Sequence, residues 1–278
     1  MPVQRRFAQV DVFTSKPLFG NPVAVILDAE GLTSEQMQQV ALWTNLSETT
    51  FVLPATEPGA DYHTRIFTPT EELPFAGHPT LGTAHAVIEA GIASPRDGKL
   101  VMQCGAGLVD VSVDGAGLSF RLPRFVPRAA INAEDLAGIL GAERLIGDAE
   151  VIDTGPHWLV ARVDDVAMLA PDAVRLKGHL ARDASNGITA YSETAPGELA
   201  VRSFFFTDGL VEDPVCGSGN AAVAAHRIRA GTAGDSDAWL ARQGRQIGRD
   251  GEIRVRVEQG VVHVGGSCVT VVQGQILI

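Results

Sequence analysis

Four side chains in this sequence have the chemistry and setting to move a proton: Glu48, His78, Asp213 and Cys216. Glu48 lies in Asn45-Leu-Ser-Glu-Thr-Thr-Phe51, where a helical pattern gives way to an apolar strand. A carboxylate partly shielded there would hold its proton more tightly and could accept and return one. The plain alternative is a cap or a solvated surface glutamate. His78 follows Gly77 at the start of a helical stretch, where the positive helix end favours the neutral imidazole; it is equally readable as a structural histidine. Asp213 sits with Glu212 in Val211-Glu-Asp-Pro-Val-Cys-Gly217. Acidic groups before a helix are favourable on structural grounds alone. Cys216 stands directly before Gly217, and a helix N-terminus lowers a thiol's pKa, so it reads as the most reactive of the cysteines. It reads as well as a small buried hydrophobe.

Two Gly-rich segments must position these groups. Gly77-His-Pro-Thr and Cys216-Gly-Ser-Gly-Asn220 each end a loop and open a helix, whose first N–H groups have no partner within it. Pro79 suits a first turn, and Ser218 or Asn220 is expected to cap or donate. A pair of such helix ends can hold a substrate carboxylate or the negative charge that develops when a proton leaves carbon. No Gly-Lys-Ser/Thr follows the glycines, and no strand-helix-strand unit with a spaced acidic residue surrounds them. Phosphate-loop and dinucleotide sites are therefore not expected.

The two segments belong to a duplication. Arg65-Ile-Phe-Thr68, a loop, and Gly77 to Ala90-Gly91 are matched by Phe204-Phe-Phe-Thr207, a loop, and Gly217 to Ala230-Gly231. Upstream, Asn21-Pro22 before an apolar run parallels Gly155-Pro156. Strand patterns occur at residues 7–13, 23–27, 108–113, 118–122, 159–163, 253–257 and 261–264, with hairpin turns at Asp114-Gly115 and Gln259-Gly260. Helical patterns occur at 34–44, 133–140 and 165–169. The expectation is an α+β protein rich in antiparallel sheet. Its first domain covers 1–127 and its second 128–267, divided in the stretch Leu122-Pro-Arg-Phe-Val-Pro-Arg128.

Composition narrows the classes. The chain has 278 residues, 45% hydrophobic and 20% charged, as in an ordinary globular protein. Its net charge of -11, with no basic block, argues against nucleic acid as a partner. Its 3 cysteines lie far apart and its 7 histidines show no ligand spacing, so no metal is expected. Met1-Pro-Val-Gln-Arg-Arg leads into no apolar stretch, and no run approaches a membrane span. The expected location is the cytoplasm, with no membrane partner.

Together these segments resemble the PhzF family of the diaminopimelate epimerase superfamily. The resemblance runs through Val10-Asp-Val-Phe-Thr14, Gly20-Asn-Pro-Val-Ala-Val25, Asn45-Leu-Ser-Glu-Thr-Thr-Phe51, Ile66-Phe-Thr-Pro-Thr-Glu-Glu-Leu-Pro-Phe-Ala-Gly-His-Pro-Thr-Leu-Gly82, Thr154-Gly-Pro-His157 and Glu212-Asp-Pro-Val-Cys-Gly-Ser218. It implies a diaminopimelate-epimerase-like fold: two domains related by a pseudo-twofold axis, each a mixed, largely antiparallel sheet around a central helix. The final strand, 268–278, would return to the first domain, the active site would lie between the domains, and the protein would be a homodimer. The function implied is a cofactor-independent isomerase shifting a proton on a small carboxylated substrate. Glu48 matches the general base and acid. Ser47, Gly77, His78, Asp213, Gly217 and Ser218 match positions that line the site or steady the substrate. Cys216 departs from the phenazine enzyme, which resembles this chain with threonine there. That departure leaves open an amino-acid-type epimerase or racemase using a Glu48/Cys216 pair. A non-catalytic small-molecule binder is the third reading.

Overall fold

The first unit is built on strands that alternate around one apolar helix. β1 (Gln4–Val12) runs antiparallel to β2 (Asn21–Ile26), and α1 (Ser34–Thr44) leads to β3 (Thr49–Leu53), parallel to β2. β4 (Tyr62–Phe67) is antiparallel to β3, and the short β5 (Glu72–Leu73) folds back on β4. After α2 (Gly77–Glu89) come β6 (Lys99–Cys104), parallel to β4, and the hairpins to β7 (Gly107–Asp114) and β8 (Gly117–Arg121). The computed structural model describes residues 2–122, 125–130 and 135–278, with the backbone alone at 129 and 130. Contacts divide it into two units, residues 1–121 with 265–278, and residues 122–264.

The second unit contains β9 (Val126–Ala130), α3 (Leu136–Leu140), β10 (Glu150–Asp153), β11 (His157–Arg162), α4 (Ala173–Arg182), β12 (Gly187–Ala195), β13 (Glu198–Phe206), β14 (Leu210–Asp213), α5 (Gly217–Arg229), β15 (Ala238–Gln243), β16 (Gly251–Glu258) and β17 (Val261–Gly266). Its pairings repeat those of the first unit in order. β10–β11 is antiparallel, β11–β12 parallel, β12–β13 and β13–β14 antiparallel, β13–β15 parallel and β15–β16 antiparallel. β18 (Cys268–Leu277) then pairs antiparallel with β1. The sequence duplication is thus a duplication of strand order in an α+β fold.

Each central helix is 13 residues long and buried on nearly all sides. Helix α2 offers Leu81, Ala84, Ala86 and Val87, and α5 offers Ala221, Ala222, Val223, Ala224 and Ala225. A helix without a polar face holds only when surrounded. Small residues let the strands come close: a Cβ on Gly82 would lie 2.4 Å from Val23 Cγ1 and 2.9 Å from Val12 Cγ2. Both helices stop in the same way. Ile92 N–H donates to Val87 O and Gly91 N–H to Ile88 O; Thr232 N–H donates to Arg227 O and Gly231 N–H to Ile228 O. Gly91 and Gly231 have φ of 68° and 67°, which is the Schellman ending.

Helix α1 begins with a capping box, Thr33 and Gln36 satisfying each other's backbone N–H, and buries Met37, Val40 and Ala41 on one face. Other elements depart from expectation. The helix read over 133–140 is α3, Leu136–Leu140, with 133 and 134 outside the described residues. The stretch 165–169 is a single 3-10 turn at Val166–Met168, and α4 was not foreseen. The contact division falls at 121/122 and 264/265, where the sequence suggested 127/128 and 267/268; residues 123–124 of that stretch lie outside the described residues. Among the described residues, no helix is long and apolar enough to cross a membrane.

Candidate active site

In the first unit the candidate groups converge at the end of the sheet where β2 and β3 begin. Helix α1 ends at Asn45, whose left-handed φ of 52° turns the chain. Thr44 and Thr49 join hydroxyls at 2.7 Å, closing the loop that carries Ser47 and Glu48. Ser47 is exposed on that loop, whereas the Glu48 side chain is only 16% accessible. Glu48 Oε2 lies 3.3 Å from Nε2 of His78, the second residue of α2. The other side of the imidazole hydrogen-bonds the backbone carbonyl of Pro22 on β2. Since Nε2 faces Glu48, the Pro22 carbonyl takes the Nδ1 proton, and this partner sets the tautomer. Burial drives the His78 pKa down to about 3, with the Pro22 carbonyl opposing it. The ring is neutral, as its place at a helix start suggested, but burial rather than the helix end is the main cause. Gly77 has its Cα side filled by Phe120: a Cβ there would lie 2.7 Å from the ring's Cζ.

In the second unit, β14 and the first turn of α5 bring Asp213, Cys216, Gly217 and Ser218 together. Cys216 is the N-cap, its Sγ accepting the Gly219 N–H at 3.2 Å. Neither Ser218 nor Asn220 fills that role. Ser218 Oγ accepts the Trp158 Nε1–H at 3.0 Å and stands 3.6 Å from Cys216 Sγ. Asn220 donates to Cys216 O and to Gln243 Oε1, each at 2.9 Å. Gln243 also accepts from Cys216 N–H at 3.1 Å and donates to Asp213 O at 3.1 Å. Gln243, on β15, thus pins the loop from both ends. Thr154 Oγ1 donates to Ser218 O at 3.3 Å. Gln243, Trp158 and Thr154 were not read from the sequence as site residues. No local motif marks a glutamine whose partners lie on another element.

The Asp213 carboxyl hydrogen-bonds the Cys216 thiol and accepts the Val215 N–H at 3.0 Å. Burial still raises its pKa to about 6, helped by the charge of Glu212. The same surroundings correct the expectation for Cys216. Its pKa is pushed well above the ordinary thiol value, by burial first and by Asp213 next, and the Ser218 and Gly219 hydrogen bonds do not outweigh them. A protonated thiol that caps a helix is a structural group in this state, not an activated one.

The structure thus joins Glu48 to His78, and joins Asp213 to Cys216, Gly217 and Ser218. The profile of the PhzC-PhzF family, described as phenazine biosynthesis-like protein, matches residues 10–274. The chain belongs to the PhzC-PhzF family. It is 37% identical over 294 aligned residues to antisense-enhancing sequence 1 of Schizosaccharomyces pombe, with 99% of each chain covered. It is 33% identical over 258 to the trans-2,3-dihydro-3-hydroxyanthranilate isomerase of Pseudomonas aeruginosa, covering 91% of this chain and 90% of that one. A solved PhzF-family structure from Bacillus anthracis superposes with a TM-score of 0.85 at 27% identity, covering 99% of this chain and 100% of that chain. This PhzC-PhzF member is by class an isomerase.

Proposed function

We propose that this chain moves one proton between two carbons of a small carboxylated substrate, using its own side chains and neither metal nor coenzyme. Glu48 removes the proton from a carbon beside a double bond, the C–H electron pair forms a new double bond to the middle carbon, the old π pair moves to the far carbon, and Glu48 returns the proton there. Nothing is oxidised, and the carboxylate is regenerated. The observation that carries this reading is the shielded Glu48–His78 pair. A neutral His78 whose Nδ1–H is committed to Pro22 presents its Nε2 lone pair to Glu48 at 3.3 Å. That lone pair can accept the O–H of Glu48 once the carboxyl has captured the substrate's proton, which holds the proton in place for return.

Asp213, with a pKa near 6, is available in both protonation states around neutrality and suits hydrogen bonding to a polar substrate group. Ser218 Oγ takes the Trp158 N–H at 3.0 Å and its hydrogen faces Cys216 Sγ at 3.6 Å, a long contact that a substrate oxygen could replace. Ser47, Gly77, Gly217 and Ser218 line the substrate in this reading. An epimerase would need Cys216 as an obligatory second base, and the buried, capping thiol speaks against that role. A pure binder would have no use for the Glu48–His78 pair. The reading includes a cytoplasmic homodimer that engages neither nucleic acid nor membrane.

The test is a panel of small carboxylates, beginning with trans-2,3-dihydro-3-hydroxyanthranilate, incubated with the full chain in heavy water and followed by mass spectrometry and NMR. The expected result is a carbon-bound hydrogen relocated or exchanged at a rate unchanged by exhaustive chelation. Activity lost on chelation and restored by one metal would overturn the proposal.

A further inference from the structure

A sealed ion pair stands beside Asp213. Arg202 on β13 grips Glu212 on β14 with two parallel hydrogen bonds, Nε to Oε1 at 2.9 Å and Nη2 to Oε2 at 2.7 Å. The two side chains are 8% and 9% accessible. Arg202 Nη1 donates to the carbonyls of Val166 and Leu169 at 3.2 and 2.7 Å, and the guanidinium lies 4.9 Å above the Phe204 ring. The strand register sets Phe204 opposite Glu212 and Ser203 opposite Asp213.

The first unit carries the same device. Arg65 grips Glu72 through Nε and Nη2 at 2.7 and 2.6 Å, stacks 5.1 Å above Phe67, and Phe67 pairs with Glu72. There the side chains are 23% and 42% accessible, and the residue after the glutamate is Leu73. An exposed pair contributes little, while a dehydrated one leaves a large unbalanced charge if either partner is lost. The copy buried from water is the one whose strand continues into an ionisable residue.

We propose that Arg202 is a positioning residue for Asp213: through Glu212 it locks β14 in register and offsets part of the carboxylate charge adjoining Asp213. The inference rests on the reading of Asp213 as a substrate-facing group. Among the described residues, the titratable groups that act on Asp213 include Glu212 from its own strand and Cys216 from the loop after it, and Arg202 on β13 holds Glu212.

The experiment follows the Asp213 carboxyl by 13C NMR against pH in the full-length chain, assigned with Asp213→Asn, alongside the pH profile of turnover. Arg202→Met leaves Glu212 unbalanced and should move the Asp213 titration up by about one pH unit or more. Glu212→Gln leaves Arg202 unbalanced and should move it down by a similar amount. The double variant should return it to the wild-type position. A scaffold role alone predicts no such reversal of sign. If Arg202→Met does not fold, Glu212→Gln and the double variant decide. An Asp213 titration unmoved in Glu212→Gln overturns the inference, and so does a downward move in Arg202→Met. If the carboxyl shifts as expected while turnover profiles stay fixed and Asp213→Asn remains active, Arg202 governs Asp213 and it is the catalytic reading of Asp213 that fails.

Discussion

Replacing Cys216 separates a capping thiol from a reacting one. The Sγ is buried and accepts the Gly219 N–H at 3.2 Å, a donor that the helix itself cannot satisfy. Cys216→Ala removes that acceptor, at about 1 kcal/mol for a lost N-cap. It also leaves a sulfur-sized gap, for on the order of another 1 kcal/mol. The total of about 2 kcal/mol is a change of about 30-fold in the folding equilibrium. Threonine restores an acceptor on the same Cβ. The cap backbone, at φ -93° and ψ 104°, is extended and accepts a β-branched side chain. Cys216→Thr should therefore stay within about 0.5 kcal/mol of the parent, since threonine is itself a favoured N-cap.

The assay is equilibrium urea unfolding of the three proteins, with turnover measured in parallel. Alanine should lower the midpoint clearly and threonine hardly at all, and the threonine variant should keep turnover within a few-fold. Iodoacetamide should label Cys216 in the folded chain far more slowly than a cysteine in a short peptide at the same pH, because burial and Asp213 keep the thiol protonated. The reasoning is refuted if threonine matches the parent in stability yet abolishes turnover, with Cys216 alkylated quickly and protected by substrate. That result would make the thiol a catalytic base.

Asp213 should make the protein less stable as pH rises. Its folded pKa of about 6 lies above the ordinary carboxyl value near 3.8, so its contribution is fully present below pH ~3.8 and lost as pH climbs through 6. Asp213→Asn should remove that slope and gain on the order of 2–3 kcal/mol relative to the parent between pH 4 and 7, read from urea midpoints; parallel pH curves would refute it. Gly82→Ala should lose about 1–3 kcal/mol, because the new Cβ collides with Val23 and Val12 at the packed face of α2. Gly178→Ala, in α4 with nothing within 4 Å of its Cβ position, should instead gain about 0.5–1 kcal/mol. Thermal and urea unfolding of the two variants should move in opposite directions.

Features written in short stretches of chain were the ones open to sequence reading. The run from Ser34 to Thr44 marks α1 without help from any other element, and the structure adds the capping box of Thr33 and Gln36 at its start. The Gly-opened, Ala-Gly-closed segments announce α2 and α5 because the Schellman ending needs glycine at that position. β12 went unread because Gly187 through Ser192 are buried on both faces and show no alternation. α4 went unread because Gly178 at its centre interrupts the helical pattern; its Asp172 cap, which accepts from Val174 and Arg175, emerges only in the structure. The candidate residues were legible as motifs, whereas their electrostatics were not. Whether Cys216 is activated or silenced depends on Asp213 three residues away and on burial supplied by distant strands. The Arg202–Glu212 grip depends on the register of β13 with β14, which no single segment encodes.

Glu48→Gln tests the account's central claim most directly, since it keeps the side chain's shape and removes its capacity to take a proton. With a substrate established by the heavy-water panel, turnover should fall by about 100-fold or more while the urea midpoint stays within about 0.5 kcal/mol of the parent. Near-parental turnover in a folded Glu48→Gln chain would contradict the account and remove Glu48 from the reaction.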